Sequence, residues 1–194
     1  MAQQTDARPA SRAPVRTVLR RVWRVCRLDA SVYEEIEGDP RGTWQAAGVV
    51  AVVAAAAVLG TIFTGDWHAG AILGAVLGAL IHWLLWGVLV FLVADLLFHA
   101  PTHRAAVVRG LGYAQAPQIV AVLGFIPFVG PLLVLASRVL VFLAGHHALR
   151  ATLRISRVRI MATTLTCFLI TFGAAALVRA VLGDVPFIDG LSRP

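Results

Sequence analysis

"LGYAQAPQIVAVLGFIPFVGP", residues 111–131, is apolar enough to be buried, yet it carries Gln115, Gln118, Pro117, Pro127 and three glycines. In a water-soluble core these residues would break a helix and leave two amides needing partners. A membrane helix tolerates them, because neighbouring helices and local waters re-satisfy the freed backbone groups. Pro117 has no N–H, so it is expected to kink the helix and free the carbonyl of Tyr113. "GFIPFVGP", residues 124–131, then reads as a tight outer turn into the next helix, and both glutamines must face protein or water.

The rest of the chain agrees with a membrane reading. Of 194 residues 59% are hydrophobic and 14% charged, and the mean hydropathy is +0.81. Globular domains carry far more charge. Apolar runs fall at 44–64, 69–98, 105–126, 131–149 and 160–182, each meeting or approaching the ~20 residues a helix needs to cross the hydrocarbon core. The expected fold is therefore all-α and polytopic, with five transmembrane helices. The 30-residue run 69–98 exceeds that need and should tilt or project from the core.

All seventeen basic residues are Arg, a bias that fits a GC-rich and most simply bacterial genome, hence the bacterial cytoplasmic membrane. Arg placement orients the chain. Eight precede the first run, two lie in 99–109 and four in 150–159, whereas 65–68 and 128–130 have none and the tail has only Arg193. Arg in short flanks stays inside, so the N-terminus is expected in the cytosol and the C-terminus outside. The first forty residues contain no signal-peptide pattern. Cys26 and Cys167 are too isolated to suggest a disulfide framework or a metal-ligand spacing.

Four segments follow: a disordered cytosolic tail 1–14, amphipathic and short acidic helices 15–43, a membrane domain 44–182 and an external tail 183–194. In "VRTVLRRVWRVCRL", Val15, Val18, Leu19, Val22, Trp23 and Cys26 share one helical face, Arg16, Arg20, Arg24 and Arg27 fill much of the rest, and Arg21 lies near the border. Such an amphipathic helix is expected to lie in anionic headgroups, each Arg near the surface adding about 1 kcal/mol; the alternative is a helix docked on the protein's own cytosolic face. A pI near 11.2 reports this topology and implies no nucleic-acid partner. Ser31 is expected to cap a short helix ended by Gly38, and Thr43 to cap the first span. The acidic cluster Glu34, Glu35 and Glu37 is expected to pair in part with the neighbouring arginines.

Within the membrane, Gly70, Gly74 and Gly78 repeat every four residues, which strips one face of side chains for close helix packing. His82 and Trp86 extend that stripe. His82, Gln115, Gln118 and Arg138 are the intramembrane polar residues, and they could line a path in a transporter or channel. Spans three and four are expected to form an antiparallel hairpin turning near 128, in which numbers summing to about 256 share a depth; this puts Gln118 level with Arg138, with Gln115, one turn deeper, as the reserve partner. Asp95, His99, His103, His146 and His147 gather near cytosolic helix ends and are the candidate metal ligands, through His and carboxylate chemistry. No catalytic motif is present, so no enzyme and no cofactor is expected. The expected partners are the lipid bilayer and other membrane proteins or a second copy.

Residues 104–165, from "RAAVVRGLGYAQAPQ" to "RIMATTL", resemble the core of the Yip1 family of five-span membrane proteins. The family's Gly-Tyr pair followed by Pro corresponds to Gly112, Tyr113 and Pro117. A Pro/Gly turn, a fourth span ending in a basic segment and a fifth span follow in order. "LDASVYEEIEGDPRGTWQAAGVV", residues 28–50, resembles the stretch before the first span in bacterial members. The resemblance covers about 29–182 and implies a non-enzymatic membrane protein that organises or binds other membrane proteins or transport assemblies. Eukaryotic members bind prenylated small GTPases, but "LDASVYEEIEG" stands where their Asp-Leu-Tyr-Gly-Pro motif would be, so a small GTPase partner is not carried over.

Overall fold

The computed structural model describes residues 15–60, 69–98, 103–153 and 155–182. The tail residues 1–14 and 183–194, and the candidate ligand His99, lie outside the described residues. Within them the secondary structure is entirely helical. Helix α1 is Val15–Cys26, α2 is Ser31–Glu37, α3 is Gly42–Leu59, α4 is Ala69–Phe98 and α5 is Arg104–Ala114. A 3₁₀ segment, Ala116–Phe125, continues from α5, and α6 (Val129–Thr152) and α7 (Arg157–Leu182) complete the order.

Among the described residues, three stretches are long and apolar enough to cross a membrane: Gly42–Leu59, Ile72–Leu96 and Val129–Thr152. Most of each faces outward, as in a bundle whose solvent is lipid. The chain is thus an all-helical polytopic membrane protein. The run expected as a third helix is not one α-helix. Its α-helical part stops at Ala114, and the next ten residues wind as a 3₁₀ helix, with the Gln118 N–H bonded to the Gln115 carbonyl at 2.9 Å. Pro117 falls in the first turn of that segment, where a missing N–H costs least.

This broken helix is the centre of the bundle. Every residue from Gly110 to Pro117 is buried, and helices α2, α3, α4 and α6 all pack on α5. Close approach is set by small residues. A Cβ on Gly112 would lie 2.6 Å from the Ala46 Cβ and 2.9 Å from the Trp83 indole nitrogen, while Trp83 Nε1 donates to the Val108 carbonyl at 2.8 Å. Gly110 faces Ala148, and Gly145 faces Trp86 and Leu111, the hairpin register the sequence predicts. At the turn of that hairpin Gly130 sits against the Gly124 backbone, and Phe128 adopts a positive φ of 64° at the start of α6.

Gly38 ends α2 as expected, but the expected N-caps are displaced. Ser31 lies inside α2, not before it, and Asp29 does the capping: its Oδ1 accepts from the Ser31 N–H at 3.0 Å and from the Ser31 hydroxyl at 2.7 Å. Thr43 is the second residue of α3, so it cannot cap that helix. The turn before α3 is held by Asp39, whose carboxylate accepts from the Arg41 N–H at 2.9 Å and whose carbonyl accepts from Gly42 at 2.9 Å.

Candidate functional site

The densest polar assembly joins α1, α2, α3 and α5. Arg21, placed by its periodicity near a border, is instead buried at 5% exposure. Its Nε donates to Glu35 Oε1 at 3.0 Å, and its Nη1 donates to Asp39 Oδ2 at 2.6 Å and to Gln45 Oε1 at 2.7 Å. The same Gln45 oxygen takes the Tyr113 hydroxyl at 2.6 Å, and the Gln45 amide reaches Asp39 Oδ2 at 3.3 Å. Arg24 braces the outside, bonding Asp29 at 2.8 Å, Glu35 at 2.9 Å and Ser31 at 2.8 Å. Arg109 donates to the Asp39 carbonyl. One guanidinium therefore ties the strap α1–α2 to the first turn of a spanning helix and, through Gln45, to the motif tyrosine.

Electrostatics support that arrangement. Burial opposes ionisation of Glu35 and Asp39, but the Arg21 hydrogen bond and charge outweigh it and hold both carboxyls below their ordinary values. Burial likewise works against the Arg21 charge, and its bonds to Asp39, Tyr113 and Glu35 overcome that and strengthen its hold on the proton. Asp29 is pulled down to about 2 by Ser31 and then Arg24. A buried charge is tolerated only when paired and hydrogen-bonded, and here every polar atom named has a partner.

The intramembrane polar residues partly converge. His82, Gln115 and Gln118 line one small cavity with Trp86, Val141 and Thr171. Its free volume of about 10 Å³ gives room for roughly one water. Gln115 is buried and accepts the Gln118 amide at 2.6 Å, so the glutamines first serve each other. Arg138 is exposed on α6, near enough to His82 for their charges to interact.

Of the candidate metal ligands, the described residues hold Asp95, His103, His146 and His147. Among the described residues no three His, Cys, Asp or Glu groups come together. His146 and His147 meet edge to face at 6.1 Å, and the Thr164 hydroxyl lies 3.5 Å from His146 Nδ1. His103 precedes α5, and His103 and Asp95 are exposed. The glycine stripe of α4 does not pack in this chain at Gly78, where a Cβ would meet nothing within 4 Å; Gly70 is exposed and Gly74 half-buried. Glycines that do pack include Gly112, Gly42, Gly60, Gly87, Gly110, Gly130 and Gly145.

A Yip1 domain model matches residues 25–178. The chain belongs to the Yip1 family. That match begins inside α1 at Val25 and takes in Glu35, Asp39, Gln45 and Tyr113. No curated protein and no solved structure matches the chain. For this Yip1 chain, the residues missed from sequence are Arg21, Asp39, Gln45 and Trp83. The one advance signal was the acidic cluster set between Arg-rich segments.

Proposed function

We propose that this Yip1-family chain is a five-span, non-enzymatic organising subunit of the bacterial cytoplasmic membrane, with its N-terminus in the cytosol and its C-terminus outside. It gathers other membrane proteins, or a second copy, against α4. The observation that carries this reading is Gly78. It lies on an exposed face of a 30-residue helix, with open space where a Cβ would stand, and Gly74 and Gly70 follow one and two turns away. In lipid, close backbone approach is a main source of helix association; Gly48 on α3 and Gly173 on α7 also have open space, but α4 is the helix on which glycines recur every four residues.

The test is a photo-crosslinking residue placed at Gly78 in native membranes. A discrete adduct there, absent when the residue is placed at Leu132 on α6, supports the reading; no adduct from the α4 face removes it. Orientation is tested separately by cysteine labelling from outside in a Cys-free background. A probe at Ser192 should react and one at Ser11 should not, and the reverse pattern would overturn the topology.

A transporter is the second reading, favoured by the meeting of His82, Gln115 and Gln118 around one cavity. Space for about one water makes it the weaker of the two. Solute flux in reconstituted vesicles that is abolished by Gln115→Leu would put transport first.

A further inference from the structure

Helix α1 was expected to present one apolar face, but the structure divides that face in two. Val25 and Arg21 are buried, and Val18 and Val22 pack beside them on the core. Val15, Leu19 and Trp23 point the other way and are 73%, 61% and 64% exposed. These three follow at four-residue spacing, so they form one continuous stripe. Arg16, Arg20 and Arg27, all exposed, run along the edge of the stripe. The Arg27 guanidinium lies 6.0 Å from the Trp23 ring, and Arg20 reaches Glu35 at 3.3 Å while remaining largely in the open.

The height of the helix is fixed by the ion-pair cluster. Arg21 bonds Gln45, the fourth residue of spanning helix α3. The middle of α1 is therefore level with the first turn of a membrane span, the depth at which interfacial helices bury their apolar side. Trp44, the neighbour of Gln45, is 83% exposed, and Trp at that level is the usual interfacial residue.

We infer that the outer stripe of α1, Val15, Leu19 and Trp23 with Arg16, Arg20 and Arg27, is a docking surface for anionic lipid, held in place by the buried Arg21 cluster on its opposite side. The charge of the rim selects the occupant: three guanidinium groups beside an apolar stripe match phosphate headgroups above acyl chains. The helix is held on edge, not flat, with only half its apolar residues left for the bilayer. This surface lies on a different helix from the α4 glycines and does not depend on them.

The experiment uses the full chain with Cys26→Ser and Cys167→Ala. An environment-sensitive fluorophore is attached at Leu19→Cys, or at Glu34→Cys as a water-facing control, and the protein is reconstituted in neutral phosphatidylcholine or in vesicles containing phosphatidylglycerol. Lipids brominated near the top of the acyl chain should quench the label at residue 19 several-fold more than at residue 34. The difference should shrink when phosphatidylglycerol is left out, or when Arg16, Arg20 and Arg27 are changed to Gln. A label at 19 that is unquenched in both lipids, being covered by another part of the chain, a second copy or water, overturns the proposal. Equal quenching in neutral and anionic vesicles overturns it as well. Labelling at Trp23→Cys repeats the measurement independently, and circular dichroism verifies that each variant is folded.

Discussion

The Tyr113 hydroxyl stands 2.6 Å from Gln45 Oε1, and that single contact links the family's Gly-Tyr motif to the α1–α2 strap. Gln45 Oε1 also accepts from Arg21, so one side-chain oxygen joins a central helix, a spanning helix and α1.

Removing either donor should therefore have unequal effects. Tyr113→Phe leaves Gln45 still bonded to Arg21 and should cost about 1 kcal/mol. Arg21→Leu leaves Asp39 without its cation, while Glu35 keeps Arg24 and Arg20. Because Glu35 and Asp39 keep some access to water, the cost should fall at the low end for a broken buried pair, about 3 kcal/mol. Equilibrium unfolding in mixed micelles measures both. Equal losses would mean that the cluster is not centred on Arg21.

The strap should also be acid-sensitive. Glu35 and Asp39 hold their protons less tightly in the folded chain than at the ordinary values of 4.5 and 3.8. Their stabilisation is then complete above that range and is lost as pH falls through the depressed folded values. Asp29 follows lowest, at about 2. The midpoint of thermal unfolding in detergent should drop on acidification below about pH 4.5, and more steeply in the native chain than in Arg21→Leu. Identical acid slopes would remove the link to Arg21.

Glycine substitutions should separate internal packing from an outer surface. Gly112→Ala drives a methyl into Ala46 and the Trp83 indole and should cost about 1–3 kcal/mol. Gly78→Ala meets nothing within 4 Å, so the isolated chain should change by less than about 0.5 kcal/mol, while crosslinking to a partner weakens. A stability loss at Gly78 comparable with that at Gly112 would show that α4 packs differently.

The two glutamines should be energetically coupled. The Gln118 amide donates to Gln115 Oε1 at 2.6 Å, and hydrogen bonds between membrane side chains couple by about 0.6 kcal/mol on average. A double-mutant cycle of Gln115→Leu and Gln118→Leu reads this directly. Additive losses would mean that the two amides act separately.

The helical class and the long helices were legible because twenty-residue apolar runs leave few alternatives: the run 69–98 became α4 with the same bounds. The run 105–126 was harder. Hydropathy records that it is buried, but not that the α-helix stops at Ala114 before Pro117 is reached. The Arg21 cluster was obscured for a different reason. Periodicity sends an Arg toward water, and only the folding of α2 under α1 brings Glu35, Asp39 and Gln45 around it. Glycine spacing marked a helix-packing face, but not which helix covers it. The regular stripe Gly70, Gly74, Gly78 drew attention, whereas the glycines packed within the chain are irregularly spaced, since each answers its own neighbour, the Trp83 or Trp86 ring in some cases and the Ala148 methyl or the Gly124 backbone in others.

The winding change after Ala114 also alters how far the chain reaches. A 3₁₀ helix rises about 2.0 Å per residue against about 1.5 Å in an α-helix. The ten residues Ala116–Phe125 thus extend roughly 20 Å instead of roughly 15 Å. Rewinding them as an α-helix would draw the outer turn inward by about 5 Å. Phe128, 91% exposed at that turn, would retreat with it, so the length of the rod sets where this aromatic ring meets its surroundings.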